Sequence, residues 1–320
     1  MGKFNRWSKY GLMLASACSL AACGGGSGNA DPASTPAPVM QAPAPQEPGS
    51  PASANNVATD GLNWVNFRRT QIGMPVLVQN GQIDQAASGH SEYQRINNIV
   101  SHDQTAGKPG FTGLQLADRL SAAGYTFGNA SFAYGEVISA TNSDSGAYMV
   151  DSLVTAIYHR FVIFEPMFKE IGTGAARRND GYTYFTANFA ARGGLGAGIA
   201  TGAVVVWPFN GQTNVTRNFF SDEEAPDPVA NANEVGYPVS VHANISANLG
   251  VQQFRMRERG AGADVSVKLL SKASDAAYTP ASAAALVPLA PLKANTTYDV
   301  SFSGTIGPTP VARDWSFTTK

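Results

Sequence analysis

The hydrophobic period of this chain changes once, and that change divides it into two kinds of fold. From Leu62 to about Phe209 apolar residues recur at both helical and strand spacings, whereas beyond Pro238 they alternate with polar ones. Residues three and four apart share a helix face, and residues two apart share a strand face. The first stretch therefore reads as mixed and the second as all β.

Within the mixed stretch, residues 62–72 place Leu62, Val65 and Ile72 near one helical face, with Asp60 as N-cap. Residues 79–100 continue helical, carrying Ile83, Ala86, Ala87, His90 and Tyr93 at three- and four-residue spacing. A shorter helix runs through 111–124 to a terminal glycine, and 147–158 reads as another helix. Strands are expected at 133–140, 182–189 and 202–209. No β-α-β rhythm repeats, so the expectation is a layered α+β domain over 59–209. Residues 210–234, marked by Pro226 and Pro228 among acidic residues, read as a linker. Strands at 238–245, 251–257, 265–270, 297–303 and 314–318, punctuated by Gly, Pro, Asn and Ser, predict a small β-sandwich over 235–320.

The N-terminus is a targeting segment. Lys3, Arg6 and Lys9 precede an apolar run, 11–22, that is too short to span a bilayer. It closes on Leu20-Ala21-Ala22-Cys23, which resembles a bacterial lipobox. That resemblance implies a signal peptide over 1–22 and a diacylglyceryl group on Cys23 anchoring the chain to the cell envelope. Gly24 rather than Asp follows the cysteine, which points to the outer rather than the inner membrane. Residues 23–58, rich in Pro, Ala, Ser and Gly, read as a tether.

Cys18 and Cys23 are the only cysteines, so the mature fold has no disulfide and depends on its own core. The formal charge is −1, and −4 once Lys3, Arg6 and Lys9 are removed. Nothing in that balance suggests a nucleic-acid partner.

The chemistry is concentrated in 86–189. Three of the four histidines, His90, His102 and His159, lie there with Glu136. Imidazole and carboxylate bind metals and move protons near neutral pH. The ordered elements are Ala87-Ser88-Gly89-His90-Ser91, Ser101-His102, Gly124-Tyr125, Gly135-Glu136, Tyr158-His159-Arg160, Ile171-Gly172-Thr173-Gly174 and the aromatic strand 182–189. Together they resemble the CAP superfamily (cysteine-rich secretory, antigen 5 and pathogenesis-related 1), in its bacterial branch without disulfides. The resemblance spans about 60–209.

It implies an α-β-α sandwich with a central cleft, where two His and two Glu commonly converge and in several members hold a divalent ion such as zinc. His102 takes the place of the first cleft histidine and Glu136 that of the first glutamate. The second glutamate has no counterpart, and Gly181-Tyr182-Thr183-Tyr184 stands where a second histidine is expected. His159 belongs to a His-Arg pair that can point into the cleft instead. The region 235–320 resembles the Ig-like domains appended to bacterial surface proteins.

The residues themselves leave three readings open. His102, Glu136 and His159 supply the ligand count of a catalytic zinc, though without the spacing that forces them onto one helix face. They can equally form a hydrogen-bonded network bracing helices against a sheet, or act as general acid and base. His90 sits at core spacing with Ile83, Ala87 and Tyr93 and is favoured as a buried, satisfied histidine over a ligand. The glycines of 193–202 lie between strands, so they do not make a dinucleotide loop. The favoured function is a non-enzymatic binding module for an apolar ligand, a cell-wall component or a protein. The alternative is a metal-dependent hydrolase of peptide or envelope polymer.

Overall fold

The structure, a computed structural model, describes residues 47–320. The expected signal peptide and Cys23 lie outside the described residues. Among the described residues no helix is long and apolar enough to cross a membrane.

The first domain contains α1 (Val57–Gln71), β1 (Val78–Gln79), α2 (Gly81–Asn97), α3 (Leu116–Ala122), β2 (Ala133–Thr141), α4 (Gly146–Thr155), α5 (Ile157–Ile163), β3 (Glu170–Arg177) and β4 (Thr183–Ala191). Its sheet has the order β1-β3-β4-β2, parallel only at β1–β3. Pleating sends alternate residues of β4 to opposite faces. Phe185, Ala187 and Phe189 join Leu62, Val65, Met149 and Val150 of α1 and α4 in one core. On the other face Thr186 Oγ1 accepts from Ser91 Oγ at 3.0 Å, which places α2 there. The expected α-β-α layering is present.

The Ile-Gly-Thr-Gly run of β3 explains how closely α2 can approach. A Cβ on Gly172 would lie 2.2 Å from the Asp84 nitrogen, and one on Gly174 2.2 Å from the Ser88 nitrogen. Only glycine lets helix backbone lie directly on strand backbone at these two positions.

Several boundaries differ from the sequence reading. Asn56, not Asp60, caps α1, its side chain accepting from Thr59 N at 3.0 Å. Asp60 instead holds the incoming chain through Ser53 Oγ at 2.7 Å and Ala54 N at 2.6 Å. The tether expected over 23–58 is therefore packed at its end. Glu47 pairs with Arg68 at 2.6 Å, and Arg68 also binds Asp151. The helix expected over 147–158 is two helices, because Ala156 takes an extended backbone with ψ of 115° between them.

The second unit contains β5 (Val205–Trp207), β6 (Gln212–Val215), β7 (Asn218–Phe220), β8 (Glu234–Gly236), β9 (Val239–His242), β10 (Leu249–Glu258), β11 (Val267–Leu270), β12 (Ala283–Pro288), β13 (Thr297–Ile306) and β14 (Thr309–Thr319). Two four-stranded sheets, β10-β13-β14-β6 and β11-β12-β9-β5, share a core that includes Val241, Leu286, Val300 and Phe317. The strand expected to close the first domain at 202–209 thus pairs with β9, and the expected linker 210–234 supplies β6, β7 and the first residue of β8. Its apolar run is a strand, as expected; its partner lies too far along the chain for local pattern to show.

The two units share buried surface. Phe164 packs on Trp207 at 5.2 Å between ring centroids, and one continuous core runs from Leu62 to Phe317. Buried Arg160 of α5 donates to Pro238 O at 2.7 Å and to Ser240 Oγ at 3.2 Å. Glu165, also buried, accepts from Met167 N at 2.9 Å and from Ile245 N at 3.0 Å.

Candidate functional site

Three side chains converge on Glu136 of β2. Its side chain shares the α2 face of the sheet, because Glu136 stands directly opposite Asn188 in the ladder and Asn188 is two residues from Thr186. Glu136 Oε1 lies 2.9 Å from His102 Nδ1 and 3.9 Å from His90 Nε2. Its Oε2 accepts from Arg119 Nη2 of α3 at 2.6 Å. Burial alone would raise the Glu136 carboxyl, but the Arg119 guanidinium, with the neighbouring imidazoles, outweighs it and holds the group well below the usual carboxylate range. Glu136 is therefore an ionised, buried carboxylate at neutral pH.

His102 is delivered by the loop between α2 and α3. Ser101 Oγ donates to Asp103 O at 2.8 Å, Gln94 Oε1 accepts from Ser101 N at 3.3 Å, and Arg119 Nη1 donates to His102 O at 2.8 Å. The same arginine thus fixes both the backbone of His102 and the carboxylate its ring meets. Facing an ionised acceptor, His102 Nδ1 carries a proton and donates it to Glu136, which leaves Nε2 as the outward nitrogen. That nitrogen has no partner among the described residues, and the side chain is 30% exposed. An imidazole nitrogen open to a ligand, with a carboxylate behind the ring, is what this pair can offer.

His90 is fully committed elsewhere. Its Nε2–H donates to Ser101 O at 2.8 Å, and its Nδ1 accepts from Gln104 Nε2 at 3.0 Å. Both ring nitrogens are used in one neutral tautomer. Burial, reinforced by Arg119, pulls its pKa down to about 4 against the pull of Glu136. The expectation of a core-facing, satisfied histidine agrees with this geometry.

His159 does not join this cluster. It begins α5, and its Nδ1 lies 3.0 Å from Glu224 Oε1, within the expected linker. Glu224 also accepts from Tyr158 N at 2.6 Å and from His159 N at 3.1 Å. The expected ligand trio of His102, Glu136 and His159 is therefore corrected: helix α5 turns its histidine toward the second unit.

The donors present do not fit a metal ion. No three His, Cys, Asp or Glu side chains are grouped for one among the described residues. Glu136 is already neutralised by Arg119, His90 has no free nitrogen, and His102 stands as a single open donor, where a zinc site needs about three.

Sequence reasoning missed Arg119 and Asn188. Arg119 sits in Asp118-Arg119-Leu120, where a charged residue in a short helix reads as solvent-facing; it is 1% exposed. Asn188 lies within the aromatic strand, and both its amide atoms are buried without a partner, as is Arg119 Nε. No sequence signal distinguishes either from a surface residue.

The sequence model described as CAP, cysteine-rich secretory protein family, matches residues 62–189. Among solved structures, an extracellular protein containing an SCP domain from Bacillus anthracis str. Ames is 26% identical with a TM-score of 0.35; the match covers 42% of this chain and 39% of that one. An outer surface protein from Borrelia burgdorferi is 13% identical with a TM-score of 0.34, covering 41% of this chain and 89% of that one. The chain thus spans well under half the length of the Bacillus protein. Comparison with curated proteins gives no match. Residues 62–189, with the fold described above, form a domain of the CAP family, and the match is confined to that part of the chain.

Proposed function

We propose that this chain is a non-enzymatic binding module held at the bacterial cell envelope by a lipid on Cys23, with its ligand face beside His102. The supporting observation is the distribution of free polar atoms. Glu136 is held by Arg119 and His102, and His90 by Ser101 O and the Gln104 amide; Arg119 keeps only its buried Nε unpartnered, and His102 Nε2 alone opens outward. A cluster whose members are held mostly by one another and by the protein around them keeps its one outward atom in a fixed place. Exposed Val100, Phe111 and Leu114 belong to the same α2–α3 segment as His102 and supply apolar contact area around it. The β-rich unit, read as Ig-like, serves in this reading as the support that carries the CAP domain.

The test is co-sedimentation of the purified full chain with isolated cell envelopes, run beside turnover assays on peptide and envelope polymer. Saturable envelope binding, weakened in His102→Ala and without turnover, is expected. Hydrolysis that disappears in His102→Ala would replace this reading with the hydrolase. Anchoring is checked separately: palmitate should label the wild type but not Cys23→Ser.

A further inference from the structure

We propose that the groove at the far end of the first sheet is a binding site for a neutral saccharide. This rests on the binding-module reading and names a ligand class for it. The groove encloses about 410 Å³ where the C-terminal end of α2, the end of β2 and the β3–β4 turn meet. That lies within the span of small-ligand sites, roughly 300–1,000 Å³. Val100 in its wall is two residues from His102, so the groove borders the face assigned above.

Its walls carry fixed aromatic rings. Tyr182 and Tyr184 stand edge to face, with centroids 5.2 Å apart. Tyr182 donates to Ala140 O at 3.0 Å and Tyr184 to Asn98 Oδ1 at 3.2 Å, so both rings are held before any ligand arrives. Tyr184 is buried and backs Tyr182, whose half-buried ring is the one that offers surface; a rigid tyrosine ring gives contact area at low entropic cost, and the C–H faces of a sugar ring pack on such a surface.

The charges around the groove cancel in pairs. Arg178 meets Asp180 at 2.6 Å, Arg95 meets Glu92 at 2.5 Å, and Arg177 meets Asp144 at 2.9 Å. No unbalanced charge among these residues is left to attract a polyanion or a polycation. What remains is amide. Asn98 Nδ2 and the Asn142 side chain make no hydrogen bond among the described residues, and both residues are exposed. Amides that donate and accept, beside a carboxylate with spare lone pairs, complement hydroxyls that do both. Neutral, hydroxyl-rich and ring-faced is the description of an uncharged saccharide.

The experiment is saturation-transfer NMR on the purified chain with chitotetraose and cellotetraose, and with a heparin tetrasaccharide as the anionic control. Saturation transfer to at least one neutral tetrasaccharide is expected, with little to heparin. Tyr182→Ala and, on the exposed rim, Asn142→Ala should each weaken binding about tenfold, while Tyr182→Phe, which keeps the ring, retains it. Preference for heparin, silence with both neutral sugars, or binding indifferent to Tyr182→Ala and Asn142→Ala overturns the proposal. Envelope co-sedimentation that persists in those cases removes the saccharide groove alone, whereas loss of both removes the binding-module reading with it.

Discussion

Glu224 and His159 join the two units of this protein: Oε1 of the first lies 3.0 Å from Nδ1 of the second. The same oxygen accepts the backbone N–H groups of Tyr158 and His159 at the start of α5. A carboxylate from the second unit thus supplies the cap that α5 lacks in its own sequence, since Ala156 precedes it. Helix starts need such an acceptor because their first N–H groups have no partner within the helix.

Replacing that cap should be felt as stability. Glu224→Ala strands two backbone donors at a buried junction, and we expect a loss of about 2 kcal/mol. Urea unfolding followed by tryptophan fluorescence measures it. His159→Ala, which leaves the carboxylate on the backbone donors, should cost less than half as much. Equal effects would show that the side-chain pair, not the cap, carries the junction.

How much of this is legible in the sequence differs between core and site. The apolar periods of α1, α2 and α4 locate the helices, but β3 is not legible: its Ile-Gly-Thr-Gly run stands out only as a motif, and the helix backbone lying on its glycines appears only in the fold. The fate of 202–209 is not legible, because GAVVVWPF states only that a strand is buried, and its partner β9 is chosen by long-range pairing. His102 and Glu136 stand out through a motif order. Arg119 does not, because a lone arginine in a short helix gives no sign that a buried carboxylate awaits it. His159 is misplaced for the corresponding reason: its partner Glu224 lies in a stretch whose prolines read as linker.

Arg119 carries a sharp prediction. Arg119→Leu leaves Glu136 buried and without its counter-ion, and removing one member of a buried pair costs about 3–5 kcal/mol. The double variant Arg119→Leu/Glu136→Leu removes both charges and should regain most of that loss. A thermodynamic cycle over wild type, both single variants and the double variant tests this. Additive single losses would mean that the pair is not coupled.

Zinc should not be a resident of this chain. Purified protein dialysed against a metal-free buffer is expected to retain far less than one equivalent by elemental analysis. Added zinc should raise the melting temperature no more in wild type than in His102→Ala. One equivalent retained in wild type and lost in His102→Ala would restore the metal reading. An imidazole with one free nitrogen, beside a carboxylate already held by Arg119, falls short of the three donors that zinc requires.

The junction also sets a pH dependence. Burial pushes the Glu165 carboxyl up to about 8, against the backbone donors of Met167 and Ile245 and the charge of Arg69. Between the ordinary carboxylate range and pH 8 the folded protein holds a proton that the unfolded chain has released. Stability must then fall as pH rises through that window, by at most about 1.4 kcal/mol per pH unit for one proton. His242 and His90, whose burial lowers their pKa, work in the opposite sense, but mainly below the ordinary histidine value of 6.5. There the unfolded chain binds the proton and the folded one does not, so acidification destabilises. Only about a pH unit above that value, from roughly pH 7.5 to 8, are these two histidines neutral in both states, and there Glu165 acts alone among these groups. Wild type should therefore lose stability across that interval in denaturant titrations, while Glu165→Gln, neutral throughout, should give a flatter profile. A variant whose slope matched wild type would show that the carboxyl at this junction is already ionised at neutral pH.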